Sequence, residues 1–291
     1  MRFSIATFVW TGSLTNDELD LISKVADLGF DEVEVVFDGG GGVDAAALRD
    51  RLEGAGLGAS VLAFGLPERD ISSSDAAVRE AGIGYLTDAL DFAAAVGAKV
   101  VAGPIAHPPG RARPIPADER AAERDHSVAS LRALGDLAGE RGIVLGVEQL
   151  SRYDSDMFNT ATESLAFLAD VDHGSVGLLL DTFHMQMEER SAGEAIRAAG
   201  DKLVHFHAVE SHRGELGTGQ IDWDDTFGAL ADIGYEGTAS LESFSMSGTE
   251  LDALVNMWRP WFDDADAFAS RSLSFARGRA DAAQCQDISQ A

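Results

Sequence analysis

The chain has 291 residues, of which 49 are acidic and 22 basic, and its formal net charge at neutral pH is −27. This charge argues against binding to duplex nucleic acid or an anionic membrane, because both require a cationic face on the protein. Apolar residues make up 45% of the chain, which excludes a disordered acidic protein and allows a sizeable core in one large domain or two small ones.

The charged residues have an unusual make-up, with 30 Asp and 19 Glu against 3 Lys and 19 Arg. Hydrated carboxylates in place of lysine keep a protein soluble in concentrated salt, where a Debye length of about 3 Å screens self-repulsion. We therefore expect a salt-adapted, halophilic cytoplasm. The alternative is an acidic protein from a genome of high GC content, which also favours Arg over Lys.

One cysteine, Cys285, is present, so we expect no intrachain disulfide and a reducing, cytoplasmic location. The first ten residues, MRFSIATFVW, lack the long apolar stretch of a signal peptide and are typical of a first strand. No apolar run approaches the roughly 18 residues of a membrane span, so no membrane partner is expected.

Short runs rich in Val, Ile and Leu alternate with longer amphipathic stretches along the chain. This pattern predicts eight βα units and a parallel sheet. Eight units in about 280 residues match a single (β/α)8 TIM barrel, and a doubly wound open sheet is the alternative. The predicted strands are Phe3–Phe8, Glu32–Val36, Gly58–Phe64, Lys99–Gly103, Val144–Glu148, Val176–Asp181, Leu203–Ala208 and Thr238–Glu242. The clearest predicted helices are Asn16–Leu28, Asp44–Ala55, Asp75–Val96, Ala117–Arg141 and Ala161–Val171.

Residues 1–279 are predicted to form the barrel with its C-terminal helices, and residues 280–291 a loose tail. Four glycines are placed where predicted helices end, as C-terminal caps: Gly29, Gly56, Gly97 and Gly142. The segment Pro104–Pro116 contains five prolines and follows the fourth predicted strand. It is either a lid over the substrate or a rigid loop without such a role.

Ionisable residues stand at the carboxyl ends of the last four predicted strands, where a TIM barrel has its active site. They are Glu148, Asp181, His207 and Glu242. On the barrel axis, unpaired carboxylates repel one another and are costly to desolvate, so this set predicts a divalent cation. Three carboxylates and one imidazole suit Mn²⁺, Mg²⁺ or Co²⁺ better than a structural zinc. His205 is predicted to face away from His207 and to be structural.

The stretches around these residues resemble the D-tagatose 3-epimerase family, which includes the D-psicose (allulose) 3-epimerases and belongs to the xylose-isomerase-like barrels. The resemblance spans nearly the whole chain, although the Asp-Thr-Phe-His stretch alone is also similar to inosose dehydratases. The matching stretches are Glu148-Gln-Leu-Ser-Arg-Tyr-Asp154, Asp181-Thr-Phe-His-Met185, His205-Phe-His-Ala-Val-Glu-Ser-His-Arg213, Gly217-Thr-Gly-Gln-Ile-Asp-Trp223 and Leu241-Glu-Ser-Phe244.

The resemblance implies that the four strand-end residues bind the metal, and we expect Mn²⁺ as the ion. It further implies that His184 and Arg213 hold the sugar near O2 and O1, and that the protein is a homodimer or homotetramer. No nucleotide cofactor is expected, because the predicted reaction requires no redox cofactor. Asp154 stands where the family commonly has Glu, and His107 lies near the place of an expected aromatic residue. Together with Phe8, these two residues are the other predicted sugar contacts.

The predicted activity is 3-epimerisation of a free ketose of the D-tagatose, D-fructose, D-psicose or L-ribulose class. Removing the C3 proton next to the C2 carbonyl gives a cis-enediolate, which a divalent metal stabilises as a Lewis acid. Glu148 and Glu242 are predicted to exchange the proton on opposite faces of C3. Another sugar or cyclitol isomerase, or a dehydratase, is the alternative. A phosphate ester is less favoured, although Gly217 and Gly219 leave a phosphate cradle open.

Overall fold

The computed structural model describes residues 1–40, 42–246 and 250–288. Its strands are β1 (Arg2–Ile5), β2 (Glu32–Val36), β3 (Gly58–Leu62), β4 (Val100–Gly103), β5 (Val144–Glu148), β6 (Val176–Asp181), β7 (Leu203–Ala208) and β8 (Thr238–Leu241). The α-helices are α1 (Asp20–Asp27), α2 (Ala45–Ala55), α3 (Ala76–Val96), α4 (Ala117–Glu140), α5 (Ala161–Val171), α6 (Thr182–Glu188), α7 (Ala192–Ala199), α8 (Trp223–Asp232), α9 (Glu250–Leu254) and α10 (Ala265–Ile288).

All strands are parallel and lie in the order β1-β8-β7-β6-β5-β4-β3-β2. A parallel bridge between Ala6 and Glu34 brings β1 beside β2 and nearly closes the sheet. The predicted single (β/α)8 barrel is confirmed, since helices follow the strands around it. None of the described helices is both long and apolar enough to cross a membrane.

The strand ends differ from the prediction at three places on the catalytic side. β1 stops at Ile5 because residues Thr7–Val9 turn into a 3-10 helix, so Phe8 lies on that turn rather than on the strand. β3 and β8 each end before the predicted residue, which leaves Glu242 directly after β8.

At the C-terminus, α10 continues to Ile288. The segment predicted to be a loose tail, residues 280–291, is therefore helical as far as Ile288, and residues 289–291 lie outside the described part.

The four glycines expected at helix ends all have positive φ, between 64° and 94°. At Gly56 and Gly97 the backbone N–H groups close the last turns of α2 and α3, and φ values of 69° and 84° suit a residue without Cβ. After each of these glycines the chain turns back and enters the next strand, β3 or β4.

The prediction for His205 was wrong about its direction. Residues two apart on a strand share a face, so His205 and His207 both point into the barrel. Their ring centroids are 5.3 Å apart, and neither side chain is exposed to solvent. Polar side chains therefore occupy a layer of the barrel interior that is more often filled by Val, Ile and Leu.

The proline-rich loop after β4 is held in place by a buried guanidinium. Arg111 is 9% exposed and donates to Asp70 (3.0 Å), to Asp156 (3.0 Å) and to the hydroxyl of Ser72 (2.6 Å). Its backbone N–H also donates to the carbonyl of Asp154 at 3.1 Å. These contacts join the loops after β3, β4 and β5, so the structure favours a rigid wall over a lid.

Replacing Arg111 with Met should leave the buried carboxylate of Asp70 without its guanidinium partner, while Asp156 keeps its contact with Arg113 at 2.9 Å. We expect the free energy of unfolding to fall by about 3 to 5 kcal/mol, as when one partner of a buried ion pair is removed. Urea unfolding followed by circular dichroism measures this change. The matched control is Arg49→Met, which breaks an exposed pair with Glu53 and should have little effect. Equal effects of the two substitutions would contradict the assigned role.

Candidate metal and substrate site

The four predicted metal ligands lie together at the carboxyl end of the barrel. Glu148 and Asp181 are the last residues of β5 and β6, His207 is the last but one of β7, and Glu242 follows β8. Because β5 to β8 are neighbours in the sheet, these side chains converge on one point. All four are buried, with exposed fractions of 0% to 8%.

The distances within this cluster suit a hard divalent cation. Nδ1 of His207 lies 3.9 Å from Oδ2 of Asp181 and 4.0 Å from Oε1 of Glu242. Donor atoms of Glu148, Asp181 and His207 all lie within 4.8 Å of one another. Around an octahedral ion with bonds of about 2.1 Å, donors are separated by about 3 to 4.2 Å. The set therefore needs only small adjustments to bind such an ion.

Three buried atoms of the cluster meet no partner in hydrogen-bond geometry: Oδ2 of Asp181 and both ring nitrogens of His207. Nε2 of His207 lies 3.0 Å from Oε2 of Glu34, whereas Oδ2 of Asp181 and Nδ1 of His207 lie 3.9 Å apart inside the cluster. The other carboxylate oxygen of Asp181 accepts from the backbone N–H of Phe183 at 2.7 Å. An unpaired buried polar atom is costly, and two that face each other are typical of a ligand site. The residues present thus fit a divalent metal.

The electrostatics of the cluster favour protonated acids when no cation is bound. Burial raises the pKa of Asp181 to about 7, and the nearby Glu242 carboxylate contributes. Burial, with the charges of Asp181 and Glu242, raises the pKa of Glu148 well above its usual value. Burial alone would lower the pKa of His207, but the Glu34 carboxylate raises it to about 10. A divalent cation reverses these tendencies, because it favours the deprotonated form of every ligand.

Arg213 provides the fixed positive charge of the site. It is 6% exposed, and its Nη1 donates to Oε2 of Glu242 at 2.6 Å. Its guanidinium carbon lies 4.0 Å from the ring centre of Phe183 and 4.9 Å from that of Phe244. Its Nε–H is buried without a partner and is available to a ligand oxygen. Ser243 supports this placement, because its hydroxyl donates to the carbonyl of Arg213 at 2.5 Å.

The loop that carries Arg213 is organised by a second buried acid, Glu210. Arg213 has a φ of 61°, which an arginine rarely adopts, and its N–H donates to the carbonyl of Glu210 at 2.7 Å. Burial would raise the pKa of Glu210, but the donors around its carboxylate lower it. Those donors are the N–H groups of Ser211 (2.8 Å), Gly217 (2.9 Å) and Ile221 (3.3 Å) and the indole of Trp223 (3.0 Å).

His184 is a neutral hydrogen-bond donor in this arrangement. The backbone N–H of Ser151 donates to its Nδ1 at 3.2 Å, so the ring proton lies on Nε2, which is 3.8 Å from Oε1 of Glu148. Burial, together with the charge of Arg213, lowers the pKa of His184 well below its usual value. The ring therefore presents an N–H group to the cavity without adding charge.

The remaining predicted sugar contacts, Phe8, Asp154 and His107, differ in their position relative to the cavity. Phe8 and Asp154 line the cavity above the cluster, and burial raises the pKa of Asp154, which accepts a hydrogen bond from Ser151 at 2.9 Å. His107 does not belong to the described residues that line this cavity. Its ring nitrogens are engaged by the carbonyl of Pro108 (2.9 Å) and the hydroxyl of Ser155 (2.8 Å). A contact between His107 and the sugar stays a prediction.

A cavity of about 680 Å³ opens above the cluster, within the range of small-molecule sites. Glu148 and Glu242 of the cluster line it together with His184 and Arg213, and so do other polar residues such as Asp154. The apolar residues that line it include Phe8, Phe64, Phe183, Phe244, Leu251 and Trp258. A small ligand rich in oxygen atoms fits this mixed lining.

Sequence reasoning missed two buried acids that organise the site, Glu34 and Glu210. Glu34 interrupts the apolar strand Glu-Val-Glu-Val-Val, and an acid inside such a strand is a signal for an interior partner. Glu210 follows β7 by two residues and looks like an ordinary loop acid until the loop is folded around it. Only the first of the two carried a usable signal.

A family model described as xylose isomerase-like TIM barrel matches residues 22–266. The chain is 35% identical to L-ribulose 3-epimerase of Mesorhizobium japonicum over 94% of this chain and 92% of that protein. It is 34% identical to D-psicose 3-epimerase of Agrobacterium fabrum over 88% of this chain and 91% of that protein.

A solved structure of D-allulose 3-epimerase from Methylomonas sp. in complex with D-allulose has a TM-score of 0.91 and 33% identity to the chain. The similarity covers 96% of this chain and 97% of that one. These relationships agree with the nearly closed parallel barrel and with the residues at its carboxyl end. The chain belongs to the ketose 3-epimerase family of xylose isomerase-like TIM barrels.

Proposed function

We propose that the protein is a divalent-metal-dependent ketose 3-epimerase acting on a free ketose of the D-tagatose, D-fructose, D-psicose or L-ribulose class. The observation that carries this proposal is the placement of Glu148 and Glu242. They stand on β5 and after β8, on either side of Asp181 and His207, and both line the same cavity. Two carboxylates that flank one substrate position suit a reaction with proton exchange on both faces of a carbon.

We propose that Glu148, Asp181, His207 and Glu242 hold the metal, with Mn²⁺ the favoured ion. The unpartnered atoms of Asp181 and His207 support this assignment. When bound, the cation supplies Lewis-acid stabilisation of negative charge on the substrate.

The proton steps belong to the two glutamates. One carboxylate removes the proton from C3 and leaves a cis-enediolate, and the carboxyl group on the other side returns a proton to the opposite face. Burial and neighbouring acids give Glu148 a raised pKa, which suits the proton donor, while Arg213 pairs with the carboxylate of Glu242, which suits the acceptor. The roles exchange when the epimeric ketose is the substrate.

His184 and Arg213 orient the sugar. His184 offers its Nε2–H to O2, where negative charge develops, and Arg213 offers its unpartnered Nε–H to O1. Neutral and cationic donors in a buried pocket stabilise a developing oxyanion without reorganising.

The loop after β7 supports a free sugar over a phosphate ester. Its inward N–H groups already donate to the carboxylate of Glu210, as the Gly217 N–H does at 2.9 Å. A Cβ on Gly219 would lie 2.4 Å from Oε1 of Glu210, so this glycine makes room for the carboxylate. The two glycines thus surround a built-in anion and leave no cradle for a phosphate there.

The activity is tested by incubating the Mn²⁺-loaded protein in D₂O with each of D-fructose, D-psicose, D-tagatose and L-ribulose and following the mixture by NMR. We expect an epimeric ketose that carries deuterium at C3, because the incoming proton comes from a group that exchanges with solvent. An aldose product would indicate a 1,2-isomerase instead, and loss of water a dehydratase. Either result would overturn the proposal.

Glu148→Gln and Glu242→Gln should each lower turnover by at least about 100-fold, since either change removes one of two required acid-base groups. The measurement is kcat with saturating Mn²⁺, with the bound metal quantified in every variant. Glu53→Gln on the exposed face of α2 is the control and should retain wild-type turnover. A Glu242→Gln protein that stays active would refute the two-base scheme.

Metal binding should release protons and weaken as the pH falls. The raised pKa values of Asp181 (about 7), Glu148 and His207 (about 10) mean that the folded protein holds protons the cation must displace. We expect the Mn²⁺ dissociation constant to rise as the pH decreases from about 8 to about 6. Calorimetry in two buffers of different ionisation enthalpy counts the protons released. An affinity independent of pH would contradict the ligand set.

A further inference from the structure

One buried carboxylate inside the barrel takes no part in the proposed reaction. Glu34 points from the middle of β2 toward the barrel axis, and its side chain is fully buried. Its Oε1 accepts from Nε2 of His205 at 2.6 Å and from the hydroxyl of Ser60 at 3.4 Å. Its Oε2 accepts from the hydroxyl of Ser240 at 2.9 Å and lies 3.0 Å from Nε2 of His207. Strands β3, β7 and β8 therefore fix one carboxylate in a single orientation.

The contact with His207 determines which ring nitrogen of that residue is free. Nε2 of His207 lies 3.0 Å from Oε2 of Glu34, in an ion-pair contact that falls outside hydrogen-bond geometry. Because an ionised carboxylate only accepts hydrogen bonds, its charge at this distance favours the proton on Nε2. In the neutral ring, Nδ1 then has the lone pair, and it points toward Asp181 and Glu242 at 3.9 Å and 4.0 Å. That is the nitrogen a metal ligand in this cluster must use.

Burying a carboxylate is a poor way to gain stability, because its desolvation offsets most of the attraction to its partners. Ser60 and Ser240 supply hydroxyl groups that hold the carboxylate without neutralising it. His205 occupies the other oxygen, so the carboxylate does not turn away from His207. The arrangement is well suited to orienting an imidazole.

We propose that Glu34 is a positioning residue for the metal centre, which fixes the tautomer and ring orientation of His207 so that Nδ1 faces the cation. This inference rests on the metal-dependent function proposed above. Its test measures metal binding directly and requires no turnover. Failure of this inference can therefore be distinguished from failure of the proposed function.

The test is Glu34→Gln, which keeps the shape of the side chain. The new amide group can donate to Nε2 of His207, which favours a proton on Nδ1 and blocks the ligand atom. We expect the Mn²⁺ dissociation constant, measured by calorimetry on the folded protein, to rise about 10- to 100-fold. The matched control is Glu32→Gln, two residues earlier on β2 and 5% exposed, whose carboxylate accepts from the hydroxyl of Thr238 at 2.7 Å. This control should bind Mn²⁺ like the wild type.

A folded Glu34→Gln protein with the wild-type dissociation constant would overturn the inference alone. A wild-type protein that binds no Mn²⁺ would overturn both the inference and the metal-dependent function. A second measurement uses wild-type protein and locates the ring proton of His207 directly. The protein is labelled with ¹⁵N-histidine, loaded with Mg²⁺ and studied by NMR. The signals of His207 are assigned as those missing from the spectrum of His207→Asn. We expect the proton of His207 on Nε2, and a proton on Nδ1 would refute the inference.

Discussion

The structure depends on balancing negative charge that is buried along the axis of the barrel. Glu34, Glu148, Asp181 and Glu242 are each at most 8% exposed, in a region where an unpaired carboxylate is costly. Two imidazoles face the first of these acids, and Arg213 faces the last. The atoms of Asp181 and His207 that have no partner lie between them. This local excess of acceptors is what makes the site suited to a divalent cation.

The same balance links the catalytic end of the barrel to its interior. The bridge between Ala6 and Glu34 is where β1 comes beside β2, and the side chain of Glu34 reaches His207 on β7 across the barrel. An error in the closure of the sheet would therefore also misplace a candidate metal ligand. On the outer side, Glu210 performs a comparable task for Arg213, because the loop after β7 folds around its carboxylate.

Much of the site followed from strand periodicity, and the exceptions have physical causes. Glu148, Asp181, His207 and Glu242 could be named because each ends or follows a β-rich run, and parallel strands bring such ends together. For His107, nothing local shows that Ser155 and the carbonyl of Pro108 engage its ring. The direction of His205 was predicted wrongly, because residues two apart on a strand point to the same side of the sheet and not to opposite sides. The wall formed by the loop after β4 depended on Arg111 meeting Asp70, which is 41 residues away.

The sequence by itself determined the barrel, its strand boundaries to within a few residues and the donor types at its carboxyl end, because these depend on local periodicity and on the order of strands. The tertiary structure alone decided which atoms meet. It brought Glu34 next to His207, gave Arg213 a left-handed backbone, and placed the N–H of Gly217 against the carboxylate of Glu210. These features arise between residues far apart in the chain, where packing and the need to satisfy buried charge decide the outcome, and no local pattern records them.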